Sequence, residues 1–363
     1  MKASGADIDA FCGNSPHDRR ADHAWSALFR DAGRSVSADG TSLPARMDPA
    51  SLPCVSCKAQ TQNLPGCTAM LNLCRAFCLT ALMALAGHAH GQPAPAGQQG
   101  SNPCPDANEA MASGDAEAAV AALRACLSAR LHPWQTEAEL RVRLGASQLA
   151  LGESEAALFT YNQVIALLRD NGGNTDIPIV RRNRAVALLQ LDRAQEALED
   201  LLIAERGMPQ DDFVHILLGG TYMELDRGTE AIAAYDNAIR LAPDAPGGWI
   251  GRSAAFIELE LMDRAVEDGR EAVAIAPDEG SALNALCWAL VKAERASEGM
   301  DICYAAVEAE PDSGAIIHSL AAALEQIGED EEAYPLFARA YELEPDNTTI
   351  AGDYARVSAA RGE

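Results

Sequence analysis

From about residue 103 onward, apolar residues recur at intervals of three and four. Ala231, Ile232, Tyr235, Ala238 and Ile239 are a representative set. That spacing places one apolar stripe along a helix and predicts amphipathic helices of roughly twelve residues. Short turns rich in Asp and Gly separate them. Proline falls at Pro209, Pro243, Pro277, Pro311 and Pro345, each 34 residues after the last, the final four within the words LAPD (241–244), IAPD (275–278), AEPD (309–312) and LEPD (343–346). A proline just past a helix cannot continue it, so each word ends a helix pair. One such hairpin cannot bury its own stripe, whereas stacked hairpins share a continuous core.

The register is carried by more than proline. With proline at position 32, units start at 178, 212, 246, 280 and 314. Small residues then recur at position 8 (Ala185, Gly219, Ser253, Cys287, Ala321), position 20 (Ala197, Ala231, Ala265, Gly299, Ala333) and position 27 (Ala204, Ala238, Ala272, Ala306, Ala340). Larger ones recur at position 24 (Leu201, Tyr235, Phe337), with Gly269 and Cys303 as departures. Small residues admit close helix approach and the larger ones fill between pairs. A unit near 138 carries Leu144-Gly145, Ala157 and Tyr161 but lacks the proline and adds the loop DNGGNTDI; a degenerate pair occupies 103–137.

These residues resemble the tetratricopeptide repeat. The clearest unit is 212–245, with Leu218-Gly219, Tyr222, Ala231, Tyr235, Ala238 and Pro243 at the family's positions. The resemblance implies an all-α, right-handed superhelical solenoid. Six repeats span 138–347, starting near 138, 178, 212, 246, 280 and 314, and residues 348–363 form a capping helix and tail. It also implies a concave face lined by the first helix of each repeat, which binds a partner protein or peptide. The groove positions hold Arg143, Arg182, Phe213, Ile216, Ile250, Asn284, Trp288 and His318, a basic end leading to an apolar middle. Arg143 and Arg182 can meet a carboxylate on a partner or this protein's own acids; Arg184 and Arg252 are structural. The Lys/Asn/Arg carboxylate clamp of chaperone-binding members is not reproduced, so an extended or helical peptide with apolar anchors is the expected ligand.

Charge divides the chain. It has 53 Asp and Glu against 28 Lys and Arg, a net charge of −25, yet residues 1–91 hold 8 basic residues, 7 Asp and no Glu. So acidic a chain repels phosphate backbones, which argues against nucleic acid as a partner. Residues 1–69 lack periodicity and read as disordered or untranslated. At Met70 a signal-peptide pattern begins: Arg75, an apolar core from Phe77 to Gly87, and small residues at Ala89 and Gly91. We read Met70 as the start, 70–91 as the signal peptide with cleavage near Gly91, and 92–102 as a linker. No integral span is expected in the mature chain. The expected address is the periplasm or another exported compartment; 19 Arg to 1 Lys in 92–363 suits a GC-rich bacterial genome. A cytoplasmic regulator, or an accessory subunit of an enzyme, is the alternative.

Of ten cysteines, four follow Gly91: Cys104, Cys126, Cys287 and Cys303. An even number in an exported chain points to disulfides. Pairing within each hairpin is the simplest of three connectivities and would contribute about 3 kcal/mol each. Cys54 and Cys57 have CxxC spacing without a second knuckle. No GxSxG, HExxH, GxGxxG or phosphate-binding loop occurs. His132, His215 and His318 lie in different helix pairs and read as packed or solvated residues. No catalytic residue, metal ligand or cofactor is expected.

Overall fold

The computed structural model describes residues 104–129 and 131–362. The start at Met70, the signal segment, the linker and the CxxC lie outside the described residues. Those described form fifteen α-helices and no strand: α1 (Pro105–Ser113), α2 (Ala116–Ala129), α3 (Trp134–Ala150), α4 (Ser154–Asp170), α5 (Pro178–Leu189), α6 (Ala194–Gly207), α7 (Asp212–Glu224), α8 (Gly228–Leu241), α9 (Pro246–Glu258), α10 (Met262–Ile275), α11 (Gly280–Lys292), α12 (Met300–Ala309), α13 (Gly314–Ile327), α14 (Asp330–Leu343) and α15 (Thr348–Arg361). A 3-10 turn, Ala296–Glu298, precedes α12.

Local chemistry fixes the ends. Pro105, Pro178 and Pro246 open helices, where a missing N–H costs nothing. Side chains of Asp211, Ser313 and Asn347 accept from the backbone N–H groups of Val214, Ile316 and Ile350. The turn joining the two helices of a unit always passes through left-handed backbone: Asp192, Asp226, Glu260, Glu294 and Gly328, with φ of 59°, 56°, 58°, 58° and 88°, again 34 residues apart. Only glycine adopts that conformation freely. Replacing the exposed Glu260 and Glu294 by Gly is therefore expected to stabilise the chain by up to about 1 kcal/mol each, read as a raised urea midpoint.

Each helix packs on the next in sequence, and the odd-numbered helices also touch one another in turn, α3 on α5 through to α13 on α15. The first helices of the units thus make one continuous inner row, and the described chain is a helical solenoid. Its core is dominated by Ala and Leu; Tyr161, Tyr235 and Phe337 are its largest fully buried side chains. The Tyr235 ring shows how the small positions work. A Cβ at Gly219 in α7 would sit 2.5 Å from the ring, and one at Gly251 in α9 only 2.2 Å. The aromatic wedge on α8 therefore fills the notch between two successive inner helices.

Cys287 and Cys303 occupy the same two positions, 8 and 24, one repeat beyond the Ser253 and Gly269 pair. Their sulfurs stand at disulfide distance, with Cα atoms 5.1 Å apart. Cys104 and Cys126 form a second such pair, with Cα atoms 5.9 Å apart.

Ion pairs join the helices where position 7 is arginine. Arg184 on α5 forks onto Asp200 of α6 (2.6 and 2.8 Å), which also receives Arg181 (2.9 Å). Arg252 on α9 forks onto Asp268 of α10 (2.7 and 2.9 Å) and reaches back to Asp236 of α8 (2.6 Å). Asp268 is buried and Asp200 is only 1% exposed. The structural role read for Arg184 and Arg252 is what these contacts provide.

Candidate functional site

Among the described residues, a well-formed cleft lies on the inner row, between α9, α11 and α13 and closed by α15. It is lined by Ile250, Ser253, Ala254, Ile257, Ala285, Trp288, Ala315, His318, Ser319, Asn347 and Ile350, and holds about 500 Å³ of empty space with its open mouth included. Repeat register builds it: Ile250 and His318 are position 5 of α9 and α13, and Trp288 is position 9 of α11. Positions 5 and 9 are one helical turn apart and share a face. The walls are apolar, with few polar groups, as in sites that take apolar anchors and orient them by a small number of hydrogen bonds.

Three of the eight residues expected to bind a partner, Ile250, Trp288 and His318, meet here. The Trp288 and His318 rings lie 5.7 Å apart, and His318 packs edge-on against Phe337 at 5.6 Å. Asn284 stands at position 5 of α11 but is only 1% exposed, and its Oδ1 makes no hydrogen bond. Phe213 and Ile216 lie further along the row. Arg182 stacks on the Phe213 ring at 5.6 Å, and Ile216 packs on Ala231, Tyr235 and Ala255.

The arginines at the basic end are engaged within the chain. Arg182 pairs with Asp211 at 2.8 Å. Arg143 donates to Asn108 Oδ1, and burial pushes its guanidinium below the ordinary value, partly countered by Glu139. These contacts engage both guanidinium groups with acceptors of the chain itself.

The closing helix contributes more than a cap. His318 Nε2 lies 2.9 Å from Asp353 Oδ2 on α15, and Asp353 also takes Arg356, which pairs with Glu325 at 2.5 Å. Asn347 and Ile350 complete the cleft wall. The sequence register does not single them out, because α15 stands outside the six repeats of 138–347. Its start, 34 residues after that of α13, was the available signal that it continues the inner row. The Ser253 and Ser319 hydroxyls donate to the carbonyls of Ala265 and Ala315.

Burial raises the Asp353 carboxyl, but His318 and Arg356 together outweigh it and hold the group below the usual carboxylate range. A depressed folded-state value means that Asp353 stabilises the fold above its unfolded value of about 3.9, and that this contribution disappears as pH falls further, through the folded value. The thermal-stability gap between the native chain and Asp353→Asn is therefore expected to be widest near pH 6 and to shrink below pH 4. A gap that widens toward acid would contradict the pairing.

Among the described residues, no helix is long and apolar enough to cross a membrane, and no cluster of three or more His, Cys, Asp or Glu has a metal-binding arrangement. Two family models, each described as tetratricopeptide repeat, match residues 249–362 and 216–280. Comparison with curated protein sequences gives no match. Among solved structures, a tetratricopeptide repeat protein from Parabacteroides merdae aligns with a TM-score of 0.57 at 15% identity, over 69% of this chain and 95% of that one. The Cut9–Hcn1 hetero-tetramer of the APC/C aligns with a TM-score of 0.52 at 11% identity, over 66% of this chain and 48% of that one. At such identities the likeness concerns the fold alone. The fold agrees with the 34-residue hairpins and with both matching models: residues 216–362 carry tetratricopeptide repeats, and the described chain has the fold of a tetratricopeptide repeat solenoid.

Proposed function

We propose that the protein is an exported interaction scaffold that holds a segment of a partner protein in the cleft between α9, α11, α13 and α15. The cleft itself is the observation that carries this reading. It is an apolar, partly open recess on the inner row, too small for a folded domain and suited to one or two apolar side chains of an extended or helical segment. Trp288 at its wall is the kind of rigid aromatic group that dominates binding energy at interfaces. Trp288→Ala is expected to weaken partner capture at least about tenfold while leaving helical content unchanged. Unchanged capture would remove the cleft from the account.

Export rests on the signal-like segment 70–91 and on the two cysteine pairs at disulfide distance. Oxidised pairs enclosing loops of this size would each contribute about 3 kcal/mol. Intact mass and N-terminal sequence of the native protein, taken without reduction from fractionated cells, test this reading. A periplasmic chain beginning at Gln92 and lacking four thiol hydrogens is the expected result. A full-length, reduced, cytoplasmic chain would overturn export and leave the scaffold to act inside the cell.

A further inference from the structure

We propose that Cys104–Cys126 is an exchangeable disulfide, a site at which a dithiol passes two electrons to the chain and releases α1, whereas Cys287–Cys303 is closed to exchange. The inference does not depend on what the cleft binds.

The two pairs differ in what surrounds them. Cys287 and Cys303 are each 1% exposed and lie in a core with Leu320, Ala321, Leu324 and Phe337. A thiolate reaches neither sulfur without opening that core. Cys104 is buried at 4% exposure, but Cys126, in the last turn of α2, is only partly covered. Exchange requires a thiolate to reach one sulfur, and accessible disulfides are the labile ones. Cys126 is therefore the sulfur attacked, and Cys104 the one that leaves.

The chemistry beside Cys126 suits this role. At the end of α2 the helix dipole disfavours a negative sulfur. His132 Nε2 lies 3.0 Å from the Cys126 carbonyl oxygen and 4.0 Å from its Sγ. A carbonyl oxygen only accepts, so Nε2 carries a proton whether the ring is neutral or charged. That N–H stands within reach of the sulfur, where a donor stabilises a thiolate and offsets the helix end.

The exchange balances. One thiolate of the dithiol attacks Cys126 Sγ, the bond to Cys104 breaks, and its electron pair leaves on Cys104, which takes up a proton. The second thiolate then attacks its partner sulfur in the mixed disulfide and expels Cys126 as a thiolate beside His132, where it too is protonated. The dithiol becomes a disulfide, and the chain gains two electrons and two protons. What the pair holds is α1. This helix has nine residues and buries Ala107 and Ala110. A helix so short does not persist without its packing.

The test places the purified, non-reduced full chain in dithiothreitol, alkylates samples at intervals and maps them by mass spectrometry. Cys104 and Cys126 are expected to be alkylated at least about a hundredfold faster than Cys287 and Cys303. Amide hydrogen exchange over 104–129 should rise in step, with 246–362 unchanged. A Cys104→Ser chain in oxidised glutathione should gain one glutathione, on Cys126. Adding His132→Leu should slow that gain several-fold, and His132→Gln, which keeps an N–H, should restore part of the rate. A native rate with His132→Leu would remove His132 from the account. Equal reduction of the two pairs, faster reduction of Cys287–Cys303, or unchanged exchange over 104–129 would overturn the proposal. Four free thiols before any reductant is added would overturn it together with the reading of export. The cleft is tested separately, through Trp288→Ala.

Discussion

Replacing Gly251 by Ala is expected to cost about 2–3 kcal/mol, and by Val more, because overpacking a close-packed core forces side chains off their rotamers or moves backbone. The added Cβ would stand 2.2 Å from the ring of Tyr235, a side chain only 1% exposed that also lies close to Gly219, where a Cβ would meet it at 2.5 Å. The loss should appear as a lower urea midpoint with helical content retained. Combined with Tyr235→Leu, Gly251→Ala should cost less than the sum of the two single changes, because the smaller side chain vacates the space. Gly352→Ala provides the opposite sign. Gly352 lies inside α15, where an added Cβ meets nothing within 4 Å, so helix propensity should raise stability by up to about 1 kcal/mol. Equal effects at the two glycines would contradict the wedge.

Asp200→Ala is expected to cost about 3–5 kcal/mol, the range for removing one partner of a buried ion pair. Asp200 is 1% exposed and takes both Arg184 and Arg181, so its loss leaves two partly buried guanidinium groups short of their carboxylate. The cost follows from the uncompensated charge and not from any large net worth of the intact network. Replacing Arg184 and Asp200 together by Met and Leu should therefore recover much of the loss. Circular dichroism against urea distinguishes the outcomes; a double variant worse than Asp200→Ala alone would show that the pair is worth more than the burial it costs.

Much of the architecture was legible because the repeat writes it several times over. Proline at 34-residue intervals, small residues at positions 8, 20 and 27, and the Tyr235 position all report on one packing problem solved repeatedly. The Cys287–Cys303 pairing could be anticipated for the same reason, since these residues fall where Gly219 and Tyr235 meet in another unit. The site was only partly legible. Register placed Ile250, Trp288 and His318 on the inner row, but it could not say which cations were already paired. That depended on Asp211, 29 residues from Arg182, and on Asn108, 35 residues from Arg143. Nor does periodicity reveal that Asp353 reaches His318, because that contact crosses between two inner helices, 35 residues apart. Side-chain pairing across helices is decided by three-dimensional placement, which a one-dimensional pattern constrains only through helix register.

The central claim is that the cleft on the inner row holds the partner. Its most direct test is photo-crosslinking in native cells from a photoreactive amino acid substituted at Ala254, inside the cleft, compared with one at Phe159, a 64% exposed residue on the second-layer helix α4. The account predicts a discrete crosslinked species from position 254 that is lost when Trp288→Ala is added, and none of that mass from position 159. The same species from both positions, or one from 254 that survives Trp288→Ala, would contradict it.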